Sequence, residues 1–499
     1  MTVAVALPAV AALLCLALGR VVPARILCAA GASAAMIATV LVLVAGGDVL
    51  LAVVLLVCAL CAAGLAVRLR NVEEPRAAAV CGLLFGQTAA VALAISAPAA
   101  GLAAISLGVA TLLGWLACRA AGGTVRLPLL LGGTVLLVGP LAVPTAQAEL
   151  VALVALAILL VLAADPLGAE SLTPDVAALV GGWVAAGGAQ VAALVLAVRS
   201  DAMRAAAQSG VWRAVLVGVA VLILVRATLA LVRAHSQRAV VGGLWSAQLA
   251  LVVASAALMI GSTEVLLAHA ALTTVVLALA VSLIEESGDG FAEAGAGGHV
   301  LGGVIFLTAA LAAIGAPIGA GFGARIALLS TPEARAWWQP LLLALGVLQL
   351  PAVLSACAGF WRASAAGAPP VRVDRQSAVA LLACAALVLT GVWTEVLGGS
   401  PQPPGVRIVS LIGGLLPLTL VLLIGGRSAR GPYQDIDAPP HGVPATEALV
   451  ASLRFAPRVR PPDLTSLRAR LAPLVLPTGR RYYLAFVLMA VTITVLLFL

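Results

Sequence analysis

The sequence predicts an all-α polytopic membrane protein with about 16 transmembrane helices. Of its 499 residues, 63% are hydrophobic and only 10% are charged, and the mean hydropathy is +1.18. Soluble domains carry charge on about a quarter of their residues. Apolar runs of about 20 residues, the length that crosses a bilayer as a helix, follow one another with short connections. They use up most of the chain, so any soluble catalytic module would be another chain.

The individual helices are the runs bounded by Arg, Pro or Gly clusters. The first has no basic residue ahead of it and is followed at once by another run, so we interpret it as a transmembrane helix rather than a signal peptide. The twelfth is interrupted at Gly315-Ala316-Pro317, a break that is tolerated where protein encloses it or where it lines a polar cavity. The predicted helices span residues 3–19, 26–45, 48–67, 77–96, 99–118, 127–142, 149–164, 176–198, 214–232, 239–260, 264–284, 299–330, 340–361, 376–397, 407–426 and 482–499.

Three regions follow from this order. Residues 1–426 form a transmembrane domain of about 15 helices, and residues 482–499 form a last transmembrane helix. Between them, residues 427–481 are a basic, Pro-rich connection on the inner side with two short amphipathic helices. This connection lies along the membrane surface, against a neighbouring subunit, or in solvent with its Arg residues near lipid headgroups.

The distribution of Arg sets the predicted orientation. All 28 basic residues are Arg; if the N-terminus is outside, 21 fall in inner connections, 5 in outer ones, and Arg226 and Arg325 fall within helices. Basic residues favour the cytoplasmic side. We therefore expect a multi-pass protein of the cell membrane, with both termini on the non-cytoplasmic side.

Two residues stand out against the apolar background. His269 lies inside the predicted eleventh helix, and Arg325 follows the break in the twelfth. Both side chains are costly at membrane depth, which makes them functional-site hypotheses. The alternatives are a packed histidine bonded to a neighbouring helix, and an arginine paired with a headgroup or with a backbone carbonyl near the break. Cys58 and Cys61 have CxxC spacing but no flanking ligands, so no metal, cofactor or catalytic residue is predicted.

Three motifs carry a resemblance to a known family: QRAVVGGLWSAQL at 237–249, HAALTT at 269–274 and GAPIGAGFGARIALL at 315–329. Together they resemble the antiporter-like membrane subunits of respiratory complex I, of membrane-bound hydrogenases of the formate-hydrogenlyase type, and of Mrp antiporters. The resemblance implies two inverted repeats, each with one broken helix, and a proton pathway of Glu, Lys and His along the middle of the membrane.

Compared residue by residue, this chain lacks most ionisable groups of that family. Ser106 stands near the place of the fifth-helix Glu, and Ala185 near that of the eighth-helix Lys. The eleventh helix keeps His269 but has Thr273 where the family has Lys, and Arg325 replaces the Lys or Glu of the twelfth helix. Hydroxyls do not hold a proton as a carboxylate or an amine does, and Arg does not release one.

The start of the tenth helix adds two further candidates. Arg238 takes the place of a basic residue of the family, and His235 lies close to it; both could meet the acidic segment 285–293 or a partner subunit. Of the carboxylates, only Glu149, Glu264 and Glu395 lie at helix ends, and none lies mid-span. The candidates for a residual proton pathway are His269, Arg325, Thr273, Ser106, Arg238 and His235.

The resemblance implies a non-catalytic membrane-arm subunit of a complex I-like or hydrogenase-like oxidoreductase. With its degenerate proton pathway, it would be structural or weakly proton-translocating, and its partners would be other membrane subunits, a soluble redox module and lipid, with no nucleic acid. One alternative is an autonomous secondary transporter in which Arg325 and His269 hold an anion. Another, a glycosyltransferase-type lipid enzyme, is disfavoured because its usual loop carboxylates are reduced here to Gly46-Gly47-Asp48.

Overall fold

The computed structural model describes eight main stretches of the chain. They are residues 2–68, 74–121, 174–232, 237–286, 297–329, 375–391, 405–410 and 412–415, to which isolated positions at 133, 137, 154, 234, 349–350 and 353 are added. By its contacts the chain divides into compact units Met1–Gly431 and Pro432–Leu499, and all described residues belong to the first. Apart from those isolated positions, the predicted helices 127–142, 149–164, 340–361 and 482–499 and the connection 427–481 lie outside the described residues.

Within the described stretches, the regular secondary structure is helical and there is no strand. The helices are α1 (Thr2–Leu18), α2 (Ala24–Val44), α3 (Val49–Arg68), α4 (Glu74–Ser96), α5 (Ala100–Ala120), α6 (Pro174–Ala186), α7 (Ala189–Arg199), α8 (Asp201–Gln208), α9 (Gly210–Val232), α10 (Gln237–Ala257), α11 (Thr263–Glu286), α12 (Gly297–Ile314), α13 (Ala320–Leu329) and α14 (Arg375–Thr390).

Eight helical stretches in this part of the chain are long and apolar enough to cross a membrane. They are Ala24–Val44, Val49–Arg68, Arg76–Ser96, Ala100–Ala120, Leu179–Arg199, Gly210–Val232, Gln237–Ala257 and Thr263–Ile284. Shorter apolar helices include α1, α13 and Leu301–Ile314. The predicted class, an all-α multi-pass membrane protein, is confirmed, whereas the total of about 16 helices stays a prediction.

Helix α11 lies at the centre of the bundle. The apolar window of its span is buried along its whole length, and α3, α6, α10, α12, α13 and α14 pack around it. The peripheral helices α1, α2, α5 and α9 instead expose large side chains such as Leu13, Ile37, Ile105 and Leu222. Lipid tails are as apolar as these side chains, so such a surface suits a protein that lies in a bilayer.

Two Arg contacts join the central helices at opposite ends. At one end, Arg199 pairs with Asp48 (Nη1 to Oδ2, 2.5 Å) and with Glu264 (Nη2 to Oε1, 2.9 Å), which ties α7 to the starts of α3 and α11. At the other end, Arg68 donates from Nε to the Ser282 hydroxyl over 3.2 Å. The start of α3, the end of α7 and the start of α11 therefore lie at the same end of the bundle.

The predicted single helix 176–198 is wrong in one respect, since α6 ends at Ala186 and α7 begins at Ala189. The interruption falls at Gly187-Gly188. A Cβ at Gly188 would overlap both the Val184 carbonyl and the Gln87 side-chain amide, so only glycine lets the amide approach the backbone here.

A short helix that was not predicted, α8, follows α7. Ser200 caps it, because its Oγ accepts from the Met203 N–H over 3.2 Å, and Asp201 in the first turn complements the helix dipole.

Candidate functional site at the interruption between α12 and α13

Residues 315–319 separate α12 from α13 and are not helical. Gly315 has a backbone φ of 108° and Gly319 has a φ of 71°. Residues other than glycine rarely adopt such positive φ values. The Ala316 N–H donates back to the Leu311 carbonyl over 2.9 Å and ends α12. The Ala312 carbonyl accepts from the Gly315 N–H over 3.3 Å, and the carbonyls at this end of α12 are open to further donors, as at the C-terminal end of any helix.

His269 supplies one of those donors. It projects from α11, is 1% exposed, and its Nε2 lies 3.4 Å from the Ala312 carbonyl oxygen. A carbonyl only accepts, so the Nε2–H must donate in this contact. The other ring nitrogen, Nδ1, is buried and has no partner among the described residues.

Arg325 supplies the other donor. Its side chain runs back toward the interruption, as side chains on a helix tilt toward the N-terminus, and Nη2 donates to the Ala313 carbonyl. Nε is buried and unpartnered in the described part of the chain, where no carboxylate lies within ion-pair distance of this guanidinium. A partly buried cation without an ion pair is costly at membrane depth, which marks Arg325 as an unusual charge of the site.

The glycines of this segment make room for both side chains. A Cβ at Gly315 would lie 2.5 Å from Arg325 Nη1, and one at Gly319 would lie 3.2 Å from His269 Cε1. A Cβ at Gly321 would overlap the imidazole ring itself. The small residues between 315 and 321 are therefore fitted to His269 and Arg325.

Helix α14 encloses the segment from another side. The Thr390 hydroxyl accepts from the Ala320 N–H over 3.1 Å and donates to the Leu387 carbonyl over 2.6 Å. Gly391 and Gly413 approach the backbone of Gly319 and Pro317 closely. Protein thus covers the non-helical backbone here, which is one of the two situations in which membrane proteins tolerate it.

The structure brings together only some of the predicted site residues. Thr273 lies one turn along α11 from His269 and donates to the His269 carbonyl over 2.5 Å, so its hydroxyl serves its own helix. Ser106 is buried on α5, which packs mainly against α4, α6 and α7 rather than α11. Arg238 begins α10 at the end far from the α10–α11 connection, and His235 lies outside the described residues.

Gln87, Gln190 and Gln248, three of the four buried glutamines among the described residues, are a second polar feature, which the sequence interpretation missed. Gln190 Oε1 accepts from Trp245 Nε1 over 3.0 Å. Both amide atoms of Gln87 and of Gln248 are buried without a partner among the described residues. Buried amides are normally satisfied by protein or by bound water. The signal in the sequence was a lone Gln within each of three apolar runs.

Comparison with known proteins places the fold. No family model matches the sequence, and no curated protein matches it. The structure is similar to a chain of the Mrp complex from Dietzia sp. DQ12-45-1b, with a TM-score of 0.61 and 16% identity over 99% of this chain and 62% of that chain.

The chain has the antiporter-like membrane fold. The resemblance that the motifs at 269–274 and 315–329 predicted is thereby confirmed at the level of the fold. This antiporter-like chain spans about three fifths of the Mrp chain that it matches, 62% of its length. A second match is a chain of respiratory complex I from Thermus thermophilus with bound aureothin, at a TM-score of 0.46 and 18% identity over 85% of this chain and 98% of that chain.

Proposed function

We propose that this chain is a non-catalytic membrane-arm subunit of a complex I-like or hydrogenase-like oxidoreductase, with a degenerate proton pathway. The degenerate proton pathway is inferred from the chemistry of the buried polar groups. Where the structure describes burial, they are hydroxyls, amides, Arg68 and one histidine, with Arg325 partly buried, and no Asp or Glu is buried. The subunit would thus be structural or weakly proton-translocating.

A proton relay needs neighbouring groups that exchange protons within the working pH range. His269 is a side chain of the type that accepts and releases protons, and its Nδ1 has no partner among the described residues. The neighbouring polar side chains cannot take the proton on. Arg325 keeps its own proton, and the Thr273 hydroxyl donates to the His269 carbonyl. Water at Gln87 and Gln248 would bridge part of a path but would not store charge on it. This favours a subunit that no longer drives transport by itself.

The surface supports an assembly role. Peripheral helices such as α2 and α5 present apolar side chains along their length, which suits contact with other membrane subunits as well as with lipid. The matched Mrp chain is itself part of a complex. The partners we propose are other membrane subunits and, through them, a soluble redox module.

Affinity capture from gently solubilised native membranes tests this function. The tagged full-length chain is expected to recover several other membrane subunits together with iron–sulfur or nickel–iron proteins. Recovery of the chain alone, or only as a homo-oligomer, would contradict the proposal. A tagged unrelated multi-pass protein from the same membranes is the matched control for capture through the detergent micelle.

The second candidate is an autonomous ion or proton transporter. The observation that favours it is the interruption at 315–319, beside which a buried histidine and a partly buried arginine contact neighbouring carbonyls. Half-helix ends and interrupted backbone of this kind line substrate sites in secondary transporters. Activity of the purified chain alone in vesicles would distinguish this candidate from the first.

A further inference from the structure

Four exposed arginines lie together at one end of the peripheral helices, around the start of α4. They are Arg20 after α1, Arg25 in the first turn of α2, Arg76 in the first turn of α4 and Arg119 in the last turn of α5. Two contacts bring these ends together. A Cβ at Gly19 would overlap the Ala78 Cβ, so the end of α1 touches the start of α4. Arg76 Nε donates to the Ala120 carbonyl over 2.7 Å, which joins the start of α4 to the end of α5.

This arginine group is positively charged and has donors to spare. In the part of the chain that the structure describes, no carboxylate lies within ion-pair distance of any of the four. Four arginines against Glu73 and Glu74, which precede Arg76 in the sequence, leave a net charge of +2. Arg76 uses only one of its five N–H donors on the Ala120 carbonyl. The group therefore suits an anion that accepts several hydrogen bonds, such as a phosphate.

An apolar groove leads away from the arginine group along α4. This helix packs against both α1 and α5, and its Ala79 and Leu83 remain partly exposed. The groove narrows at Gly86, where a Cβ would lie 3.3 Å from Leu113 of α5 and 3.8 Å from Ala12 of α1. Gly86 is ten residues beyond the arginine of α4, or about 15 Å along the helix axis. That is half of the ~30 Å hydrocarbon core of a bilayer, the depth of one leaflet.

The neighbouring surface of α5 places the arginine group where lipid tails give way to headgroups. Exposed apolar side chains form a stripe along α5 that leads to Arg119, namely Leu102, Ile105, Val109 and Leu112. The Arg119 guanidinium lies 5.4 Å from the centroid of the Trp115 ring. Tryptophan is enriched at the membrane–water interface. The groove thus runs from headgroup level into the apolar part of one leaflet.

We propose that the α4 groove binds an anionic phospholipid, with the phosphate at Arg76 and Arg119 and one acyl chain along Ala79 and Leu83. Charge complementarity selects the headgroup, because a zwitterionic lipid adds a cationic group that the arginines repel. The apolar floor holds the acyl chain, which a soluble anion lacks. This site goes beyond the proposed function and does not depend on it, since the lipid is bound and not transported.

Native mass spectrometry of the full-length chain in detergent tests the proposal. Phosphatidylglycerol and phosphatidylcholine with the same acyl chains are added in equal amounts, and the lipid molecules retained per chain are counted. We expect the wild type to retain one phosphatidylglycerol in preference to phosphatidylcholine. The double variant Arg76→Gln/Arg119→Gln should bind phosphatidylglycerol on the order of 25-fold more weakly.

Two further variants separate a built site from diffuse attraction to charge. Arg204→Gln/Arg213→Gln removes the same charge elsewhere, since Arg204 lies beside Arg199 at the opposite end of the bundle, and it should retain the lipid as the wild type does. Ala79→Phe keeps all four arginines but fills the floor of the groove, so it should weaken retention of phosphatidylglycerol.

Three results would overturn the lipid site. The first is equal retention of the two lipids by the wild type, a measurement that needs no variant to fold. The second is equal loss in the two arginine pairs, or undiminished binding in Ala79→Phe. The third comes from native membranes, where a photoreactive amino acid in place of Leu83 is expected to capture phospholipid. Capture of a protein chain instead would assign the groove to a neighbouring subunit.

Discussion

His269 and Arg325 contact the carbonyl oxygens of consecutive residues, Ala312 and Ala313, at the C-terminal end of α12. The two side chains come from different helices, α11 and α13, and both reach the last turn of α12, where the Ala312 carbonyl also accepts from the Gly315 N–H over 3.3 Å. They thus satisfy the end of a helix inside the membrane, where an unpaired carbonyl costs several kcal/mol. Whatever role they have in proton movement, they also hold α11, α12 and α13 together.

Substitution of Gly321 tests the fit of the histidine. A Cβ at Gly321 would overlap the His269 ring, so Gly321→Ala is expected to lower stability by about 1–3 kcal/mol through overpacking. The measurement is the thermal unfolding midpoint of the purified chain. The control is Gly108→Ala on α5, where a Cβ meets nothing within 4 Å and the better helix propensity of Ala should slightly raise stability. Equal effects of the two substitutions would refute this packing.

Gly188 and Gln87 are expected to be energetically coupled. The Gln87 amide occupies the space that a Cβ at Gly188 would take, and it also lies 2.7 Å from the Cβ position of Gly114. Gly188→Ala should cost about 1–3 kcal/mol in the wild type and less in a Gln87→Ala background, since the overlap with the amide is then removed and only that with the Val184 carbonyl remains. A double-mutant cycle on unfolding midpoints measures the coupling, and strict additivity would show that the amide does not lie at the interruption.

The hydroxyl of Thr390 should stabilise the start of α13. Thr390→Val removes the acceptor of the Ala320 N–H while keeping the shape, with an expected loss of about 1–2 kcal/mol. Thr39→Val is the matched control, because the Thr39 hydroxyl is also buried but bonds only the Ala35 carbonyl of its own helix. Hydrogen exchange of the α13 amides should increase in the first variant and not in the second; unchanged exchange would contradict the capping role.

The contact of Arg199 with two carboxylates is expected to contribute little. Its side chain is 36% exposed, and Asp48 and Glu264 are 26% and 41% exposed, so water and salt screen the pairs. Arg199→Gln should lower stability by about 1 kcal/mol, and less at high ionic strength. Unfolding midpoints at low and at high salt check this, with Arg204→Gln as control. A loss several times larger, unaffected by salt, would show that the cluster is buried in the assembled protein.

The sequence predicted the helices better than the contacts between them. Apolar runs located most described spans to within a few residues, and Gly315-Ala316-Pro317 indicated where the helicity of 299–330 would stop, because proline lacks an N–H and glycine accepts positive φ. The interruption at Gly187-Gly188 escaped notice since glycine pairs are common inside transmembrane helices. Gln87 of α4 approaches the backbone there, a tertiary contact that the sequence does not indicate.

The same distinction holds at the candidate site. His269 and Arg325 were recognisable because ionisable residues are rare at membrane depth. Their acceptors were not, because the side chain of Arg325 reaches Ala313 across the non-helical segment 315–319, whose course the sequence does not specify. The spacing of 56 residues between His269 and Arg325 in the sequence carries no sign that they would meet on neighbouring carbonyls.

Proton flux through the purified chain alone is the most direct test of the central claim, that this antiporter-like protein is a subunit without an independent pump. The full-length chain would be reconstituted into vesicles, and internal pH followed after an imposed sodium, potassium or pH gradient. The account predicts flux no greater than in vesicles that contain His269→Ala or no protein. Cation-driven proton flux by the wild type that disappears in His269→Ala would contradict it and identify an autonomous transporter.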